Sequence, residues 1–385
     1  MHQQDVSQPP VTGEGASRAA VAEAAAAAAT TSVESAYQRQ VERTALWALM
    51  ITALATMVVT YLANVDRTMI PISPDRGSVG FQYLMATMVA TLVLTPYAYA
   101  QATDFRNRRL PPEMRRRYGW SIIPITLAVT LFIGLVVSGA VEILSISFEG
   151  AALTRLSAVL RTGTFAGIMS YVVVSWVMRM RDSQLIYIAI FYLFATLLIA
   201  GATHENPMWY QASFSYLGMT QSNSRFVFDL GLPFTGLLII IWNFYFTEFF
   251  DILVEEGVVS PRTRTIVRWC VIFVGVMLAF VGIFRFGIGL MFNILHDLSA
   301  TGMGVGLGIL ILVMPMLIDR FPRAFYVYSF ATVAMLIVAV VMKILGYYSL
   351  TGLELSAFAL SSVWLLIFYR NVEQLTAQVR PDIRI

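Results

Sequence analysis

Charged side chains are scarce in this sequence, and cysteine and lysine are almost absent. Cys270 is the single cysteine, so no disulfide can form within the chain, and Lys343 is the single lysine. Only 13% of the residues are charged and 58% are hydrophobic, whereas a soluble domain needs far more charge to cover its surface. This composition excludes an ordinary soluble domain.

Long apolar runs take the place of the missing charge. Runs of about 18 or more apolar residues recur, and each could cross a hydrocarbon core of roughly 30 Å as a helix. The runs are continuous and do not alternate with polar residues, which excludes a membrane β-barrel. We predict an all-α, polytopic integral membrane helical bundle of about ten transmembrane helices. They are Thr44–Leu62, Tyr83–Ala100, Trp120–Ile146, Ala158–Met178, Leu185–Ala202, Phe226–Phe250, Trp269–Ile288, Thr301–Ile318, Ala324–Met342 and Leu355–Tyr369.

Basic residues are distributed unevenly between the two sides of this topology. Of the 26 basic residues, nineteen fall on the side of the N-terminus and seven on the other side. Because basic residues resist translocation, we expect a multi-pass plasma-membrane protein whose N- and C-termini are both cytoplasmic. This topology accounts for the net charge of +3, so no nucleic-acid partner is expected.

Composition divides the chain into four predicted parts. Residues 1–43 form a cytoplasmic tail, disordered through residue 17 and then an alanine-rich helix. Residues 44–182 form an N-terminal membrane unit of four helices, and residues 183–371 form a six-helix membrane domain. Residues 372–385 form a second cytoplasmic tail.

Two polar segments interrupt the apolar second half of the chain. Residues 203–236 contain His204, residues 293–299 contain His296, and the third histidine of the chain is His2 in the N-terminal tail. In the predicted topology both segments face the extracytoplasmic side. We therefore expect His204 and His296 to belong to one site.

An aspartate and an arginine lie near the outer ends of two neighbouring spans. Asp229 has entered the sixth span, and Arg285 lies near the end of the seventh. An unpaired charge at membrane depth costs several kcal/mol. We predict that Asp229 and Arg285 pair, with Glu354 at the head of the last span as a further member.

Spacing links Arg285 to the second polar segment. If the seventh helix continues past Arg285, then Asn293, His296 and Asp297 share one of its faces. The sequence thus predicts a ligand site at the extracytoplasmic face. The predicted ligand-binding residues are His204, Glu205, Asn206, Ser215, Asp229, Arg285, Asn293, His296, Asp297 and Glu354.

Each residue type suggests a role in this site. Arg285 would hold a phosphate or carboxylate through its planar guanidinium. A histidine would donate a hydrogen bond or act as a general base, and the catalytic candidates are His204, His296 and Asp297. The alternative is that these residues cap helices and order long loops.

Neither a metal site nor a serine hydrolase is indicated. The histidine–acid pairs at 204–205 and 296–297 offer ligands that zinc accepts, but no HExxH pattern and no cysteine–histidine cluster accompanies them. Ser213 and Ser215 lie in no G-x-S-x-G element. We expect no metal and no cofactor.

Glycine recurs at every second position from Gly302 to Gly308 in the eighth span. No strand precedes this run, so it is not a nucleotide-binding loop. It contains two overlapping GxxxG pairs, which allow helices to approach each other closely. The run therefore predicts close packing of this span against a neighbour.

Several short motifs follow one another between about residues 185 and 371. They are Ser213-Phe-Ser215-Tyr-Leu217-Gly218, Phe228-Asp229-Leu-Gly231-Leu, His296-Asp297-Leu-Ser299-Ala300, and Gly352-Leu-Glu354 before a span containing Trp364. This half of the chain resembles a bacterial membrane-protein family of unknown function that is similar to the eukaryotic DRAM/Frag/Sfk group. The resemblance implies a six-helix bundle and a role connected with lipid remodelling, lipid asymmetry or lysosomal and autophagic membranes. It implies no catalytic mechanism and does not include the first four spans.

Three functions are compatible with these features. The first is a lipid-related role in which an extracytoplasmic polar pocket binds a lipid or lipid-linked headgroup, for transport, flipping or as an accessory subunit. The second is an intramembrane enzyme that remodels lipids or glycolipids with His204, His296 and Asp297. The third is a secondary transporter of a small solute, although no inverted repeat is recognisable. The first is preferred, with membrane lipids and protein partners in a membrane complex as expected partners.

Overall fold

The computed structural model describes residues 13–108, 122–180, 184–219 and 223–380. Within these ranges ten helices are long and apolar enough to cross a membrane, which confirms the predicted all-α bundle. The helices are α1 Gly13–Ala63, α2 Val79–Asn107, α3 Ile122–Ser147, α4 Arg155–Arg179, α5 Leu185–Ala202, α6 Asn223–Glu255, α7 Pro261–Ile283, α8 Leu290–Leu317, α9 Arg323–Ile344 and α10 Leu350–Val379.

A two-stranded antiparallel sheet joins two of the helix connections. Strand β1 (Met69–Pro71) lies between α1 and α2, and strand β2 (Ala152–Thr154) lies between α3 and α4. Arg155 strengthens this junction, because its Nη1 donates to the carbonyl oxygen of Val65 at 2.6 Å and its guanidinium lies over the ring of Tyr61. The sheet therefore ties the four N-terminal helices together at one end.

In the C-terminal half the helices pack mostly against their neighbours in sequence, whereas in the N-terminal half the most extensive contact joins α1 to α4. In the N-terminal half, α4 contacts α1 and α2, and α2 contacts α3. In the C-terminal half, α5 to α8 contact one another in order, α9 contacts α8 and α10, and α10 returns to α6. Helix α3 joins the halves through contacts with α5 and α6. The connections α5–α6, α7–α8 and α9–α10 lie at the same end of the C-terminal half, and we call this end the loop end.

Aromatic side chains fill the core between α6, α9 and α10, away from the loop end. Trp242 and Phe246 of α6 stack with ring centroids 4.5 Å apart, and Trp364 and Phe368 of α10 stack at 5.0 Å. The indole Nε1 of Trp364 donates to Ser329 Oγ at 2.8 Å, so its one polar atom is satisfied within the core. We call this group the aromatic core.

The glycines of α8 confirm only half of the packing prediction. A Cβ added at Gly302 or Gly306 would contact side chains of α7, so these two glycines allow α7 and α8 to approach. A Cβ at Gly304 or Gly308 would meet nothing within 4 Å. For these two the prediction of close packing was wrong, because successive even positions on a helix point in different directions.

The turn between α7 and α8 also differs from the prediction. Helix α7 ends at Ile283 and α8 begins at Leu290, so no continuous helix joins Arg285 to the second polar segment. Gly287 has a φ of 90°, a conformation that breaks a helix and that glycine adopts without strain. The amide of Gly287 donates to Asn293 Oδ1 at 2.7 Å, which fixes the turn.

Two helices extend into segments that were predicted to be tails. Helix α1 begins at Gly13, inside the stretch predicted as disordered, because the alanine-rich sequence favours helix. Helix α10 continues to Val379, where Arg380 pairs with Glu255 and Glu256 at 3.1 and 2.5 Å. Several predicted features lie outside the described residues, namely His2, the start of the third span at Trp120 and the end of the chain at 381–385.

Candidate functional site

A cavity of about 680 Å³ lies inside the C-terminal half of the bundle. Helices α5 to α8 and α10 form most of its wall, and nearly all of the lining side chains are aliphatic or aromatic. The polar exceptions along its length are hydroxyl groups, such as those of Thr235 and Ser361. The imidazole and the carboxylates that line it are confined to the loop end, so the cavity has one polar end.

Ser215 and His296 form a hydrogen bond at this polar end. Ser215 belongs to a short helix, Phe214–Gly218, which we call the loop helix, and its Oγ lies 2.7 Å from His296 Nε2. His296 Nδ1 lies 3.1 Å from the carbonyl oxygen of Val281 and 2.8 Å from that of Phe284. Carbonyl oxygens only accept, so Nδ1 carries the hydrogen and Nε2 of the neutral ring is an acceptor. The Ser215 hydroxyl therefore donates to His296.

Two carboxylates line the same end of the cavity. Glu354 Oε2 accepts a hydrogen bond of 2.7 Å from the backbone amide of Phe214, which fixes the start of the loop helix. Asp297 lies next to His296 on α8 and is exposed. The predicted association of Glu354 with Arg285 is wrong for the described contacts, because Glu354 reaches the loop helix instead.

Asp229 lies between two arginines beside the cavity. Its Oδ2 is 2.6 Å from Arg285 Nε and 3.4 Å from Arg225 Nε, which confirms the predicted Asp229–Arg285 pair. The Asp229 side chain is 9% exposed and that of Arg285 is 39% exposed. One carboxylate facing two guanidiniums leaves a local excess of one positive charge. The sequence analysis missed Arg225, although its i,i+4 spacing from Asp229 on α6 is a recognisable signal.

His204 is buried next to the loop helix but is not part of the cavity wall. Its Nδ1 accepts from the amide of Asn206 at 3.0 Å, and its ring lies 5.4 Å from the ring of Tyr216. Its Nε2 is buried and has no hydrogen-bond partner among the described residues. Among the described contacts, none joins His204 to His296 directly. The two histidines instead lie against adjacent residues of the loop helix, Tyr216 and Ser215.

The remaining predicted residues organise the loops. Asn206 Oδ1 accepts from the amide of Met208 at 2.9 Å, which is an Asx-type turn. Glu205 is exposed beside it, and Asn293 fixes the α7–α8 turn as described above. The predicted residues thus divide into three groups: a cavity end, an adjacent charge cluster and loop-ordering residues. The cavity end contains Ser215, His296, Asp297 and Glu354, and the charge cluster contains Asp229 and Arg285.

Metal ligands do not cluster in the part of the chain that the structure describes. No group of three or more histidine, cysteine or acidic side chains there is close enough to hold a metal ion. The functional groups that line the cavity end are the hydroxyl of Ser215, the imidazole of His296 and the carboxylates of Asp297 and Glu354.

A comparison with known protein families places these residues in one matched region. Residues 187–371 match the model of a family described as "Protein of unknown function (DUF998)". The match runs from α5 into α10, so it contains both the cavity end and the charge cluster, whereas α1 to α4 lie outside it. No curated protein and no solved structure matches the chain.

Proposed function

We propose that this polytopic membrane protein binds a membrane lipid at the loop end. The lipid's hydrocarbon chain lies in the cavity and its anionic headgroup lies near the charge cluster. The observation that carries the proposal is the form of the cavity, which is apolar along its length and polar at one end. An amphiphile has the same distribution of polarity.

The cavity wall favours a hydrocarbon over a polar solute. A volume of about 680 Å³ is typical of sites for small organic ligands. A hydrophilic solute in it would lose its hydration and find partners only at the polar end, and each unmatched polar group costs several kcal/mol. A hydrocarbon chain has no polar groups to dehydrate, so it enters the cavity without this free-energy cost. This argues for a lipid and against a secondary transporter of a small polar solute.

The depth of the cavity matches one leaflet of a bilayer. Its lining follows α8 from His296 to Leu310, which is about 21 Å at roughly 1.5 Å per residue. Along α10 it runs from Leu350 to Leu365, a similar length. Half of a bilayer with its headgroups measures about 20 Å. The hydrocarbon chain of a single lipid therefore fits between the polar end and the aromatic core.

The charge cluster supports an anionic headgroup. Arg225 and Arg285 share Asp229, so one positive charge is left to attract a phosphate or carboxylate. Asp229 and Arg285 are both next in sequence to residues at the cavity. Phe228, which precedes Asp229, lines the cavity, and Phe284, which precedes Arg285, accepts a hydrogen bond from His296 through its carbonyl oxygen. A headgroup at the cavity mouth lies within reach of these guanidiniums.

Sequence arguments agree with a lipid-related role. The motifs in the matched half resemble a bacterial family of unknown function that is similar to the eukaryotic DRAM/Frag/Sfk group, and this resemblance implies a role connected with lipid remodelling or lipid asymmetry. The uneven distribution of basic residues supports a plasma-membrane location with cytoplasmic termini, so the loop end faces the extracytoplasmic side. The role would be that of a flipping or transport protein or of an accessory subunit with protein partners.

Substitution of Gly304 tests the proposal, because a side chain there extends from the cavity wall. We expect Gly304→Phe to place a ring where the lipid chain lies, at a steric cost of roughly 1–3 kcal/mol, which weakens binding by about tenfold or more. The measurement is photocrosslinking of the full chain to a phosphatidylglycerol with a diazirine on its acyl chain. Mass spectrometry then quantifies crosslinks to cavity-lining residues of α10.

Gly308→Phe is the matched control, because Gly308 also has open space around it but does not line the cavity. We expect this variant to crosslink like the wild type. Equal crosslinking in all three proteins, or crosslinks restricted to residues outside the cavity wall, would contradict lipid binding in the cavity.

A further inference from the structure

We infer that Ser215 and His296 are a nucleophile and general base that hydrolyse an acyl ester of the bound lipid. This inference rests on the proposed function, because the lipid in the cavity supplies the ester. Sequence motifs indicated His296 as a candidate general base but did not indicate its partner, since Ser215 lies in no nucleophile motif and is 81 positions away from His296.

The hydrogen-bond geometry is that of an activated serine. The Ser215 hydroxyl donates to His296 Nε2 at 2.7 Å, so the proton already points at the atom that would receive it. The carbonyl oxygens of Val281 and Phe284 hold the Nδ1 hydrogen and thereby fix both the tautomer and the ring orientation. In a serine triad a carboxylate performs this orienting task, and two main-chain carbonyls perform it here.

The position of the pair suits an ester at the boundary between headgroup and hydrocarbon. Both residues line the polar end of the cavity, and the apolar wall begins directly beyond them. An acyl chain lying in the cavity therefore brings its ester carbonyl to the level of Ser215. Glu354 is a positioning residue, because its bond to the Phe214 amide holds the loop helix against the cavity.

The reaction balances with water as the only co-reactant. Ser215 Oγ attacks the ester carbonyl carbon while its proton moves to His296 Nε2, and the oxyanion collapses with release of the alcohol, which takes that proton. The acyl group is now an ester of Ser215. His296 then removes a proton from water, the resulting hydroxide attacks the acyl carbon, and the fatty acid leaves as the proton returns to Ser215.

Fluorophosphonate labelling and ester hydrolysis by the full-length protein in detergent test the inference. We expect a biotinylated fluorophosphonate to label Ser215, and p-nitrophenyl palmitate to be hydrolysed. Ser215→Ala should abolish both. His296→Asn should lower both by at least about 100-fold, the usual contribution of a general base. The asparagine amide can still donate to the two carbonyls, so this variant is designed to keep the local fold.

Ser213→Ala is the control, because the Ser213 side chain makes no capping hydrogen bond to the loop helix. We expect it to retain labelling and hydrolysis. Absence of labelling at Ser215, or hydrolysis that is absent or unaffected by Ser215→Ala, overturns the inference. In that case normal crosslinking of the lipid in the Gly304 experiment would leave the proposed lipid binding intact, whereas loss of both would remove the proposal on which the inference rests.

Discussion

Asp229 shows at the scale of single residues how a charge is kept in a very apolar chain. Its carboxylate is nearly buried and is stabilised by Arg285 and Arg225 together. Removing one member of such a cluster leaves a buried charge without its partner. The resulting loss of unfolding free energy is larger than the net stability that the ion pair contributes. The sequence alone could predict the Asp229–Arg285 pair, because the rule that buried charges need partners leaves few choices in this half of the chain.

We predict that Asp229→Ala lowers the unfolding free energy by about 2 kcal/mol, because two guanidiniums lose their hydrogen-bond acceptor. The loss is no larger because Arg285 is partly exposed, so that water replaces part of the lost interaction. Arg285→Ala should cost less, because Arg225 still accompanies Asp229. In a double-mutant cycle we expect a coupling of roughly 1 kcal/mol. Thermal unfolding in detergent measures these differences.

Asp297→Ala is the matched control for this cycle. Asp297 is exposed and has no ion-pair partner in the described part of the chain, so its removal should change stability by less than about 0.5 kcal/mol. Additive effects of Asp229→Ala and Arg285→Ala would show that the two side chains do not stabilise each other.

Among the secondary-structure elements, the α6–α7 pair depends most clearly on small residues. A Cβ added at Gly236 would collide with the carbonyl oxygen of Gly275, so the two backbones approach each other directly. This interface positions Asp229 and Phe228 on α6 against the end of α7 that carries the acceptors of His296. The geometry of the cavity end therefore depends on the distance between these helices.

We predict that Gly236→Leu separates α6 from α7 and lowers the unfolding free energy by more than about 2 kcal/mol, because backbone atoms cannot move aside as side chains can. Gly308→Leu should be nearly neutral, since its Cβ meets no atom within 4 Å. Detergent thermal unfolding of both variants provides the measurement. Similar melting temperatures for the two would contradict the close approach.

The elements also show where sequence reasoning reaches its limit. Apolar length predicted ten spans because the membrane imposes that length on every helix. It placed the start of α8 at Thr301, eleven residues late, because polar residues such as His296 were assigned to a loop although they lie on the helix. The Ser215–His296 bond depends on how the loop helix folds back onto α8, and no local pattern encodes that.

At the scale of the whole molecule, the chain consists of two parts with different relations to known proteins. The cavity and charge cluster lie in α5 to α10, where the family match is found, and the sheet-tied helices α1 to α4 contact this part through α3. For the proposed lipid binding, the orientation of the molecule in the membrane decides which leaflet would supply the lipid. Basic residues predict that the loop end faces away from the cytoplasm.

Cysteine accessibility tests this orientation. In a Cys270→Ser background, Glu205→Cys places a thiol at the loop end and Arg262→Cys places one at the opposite end, and both native residues are exposed. We expect a membrane-impermeant maleimide to label position 205 in intact cells and position 262 only after permeabilisation. The reverse pattern would place the termini outside and the lipid site in the inner leaflet.

The aromatic core sets a limit on what the cavity can do. Leu310 and Leu365 are the cavity-lining residues farthest from the loop end on α8 and α10, and Leu365 follows Trp364, whose ring is stacked on that of Phe368 in the aromatic core. Passage of a bound molecule to the far side of the bilayer along this route would require those rings to separate. For the lipid proposed above, exchange with the adjacent monolayer would leave these rings together, whereas a flipping role would require them to part, so the state of the rings distinguishes the two roles.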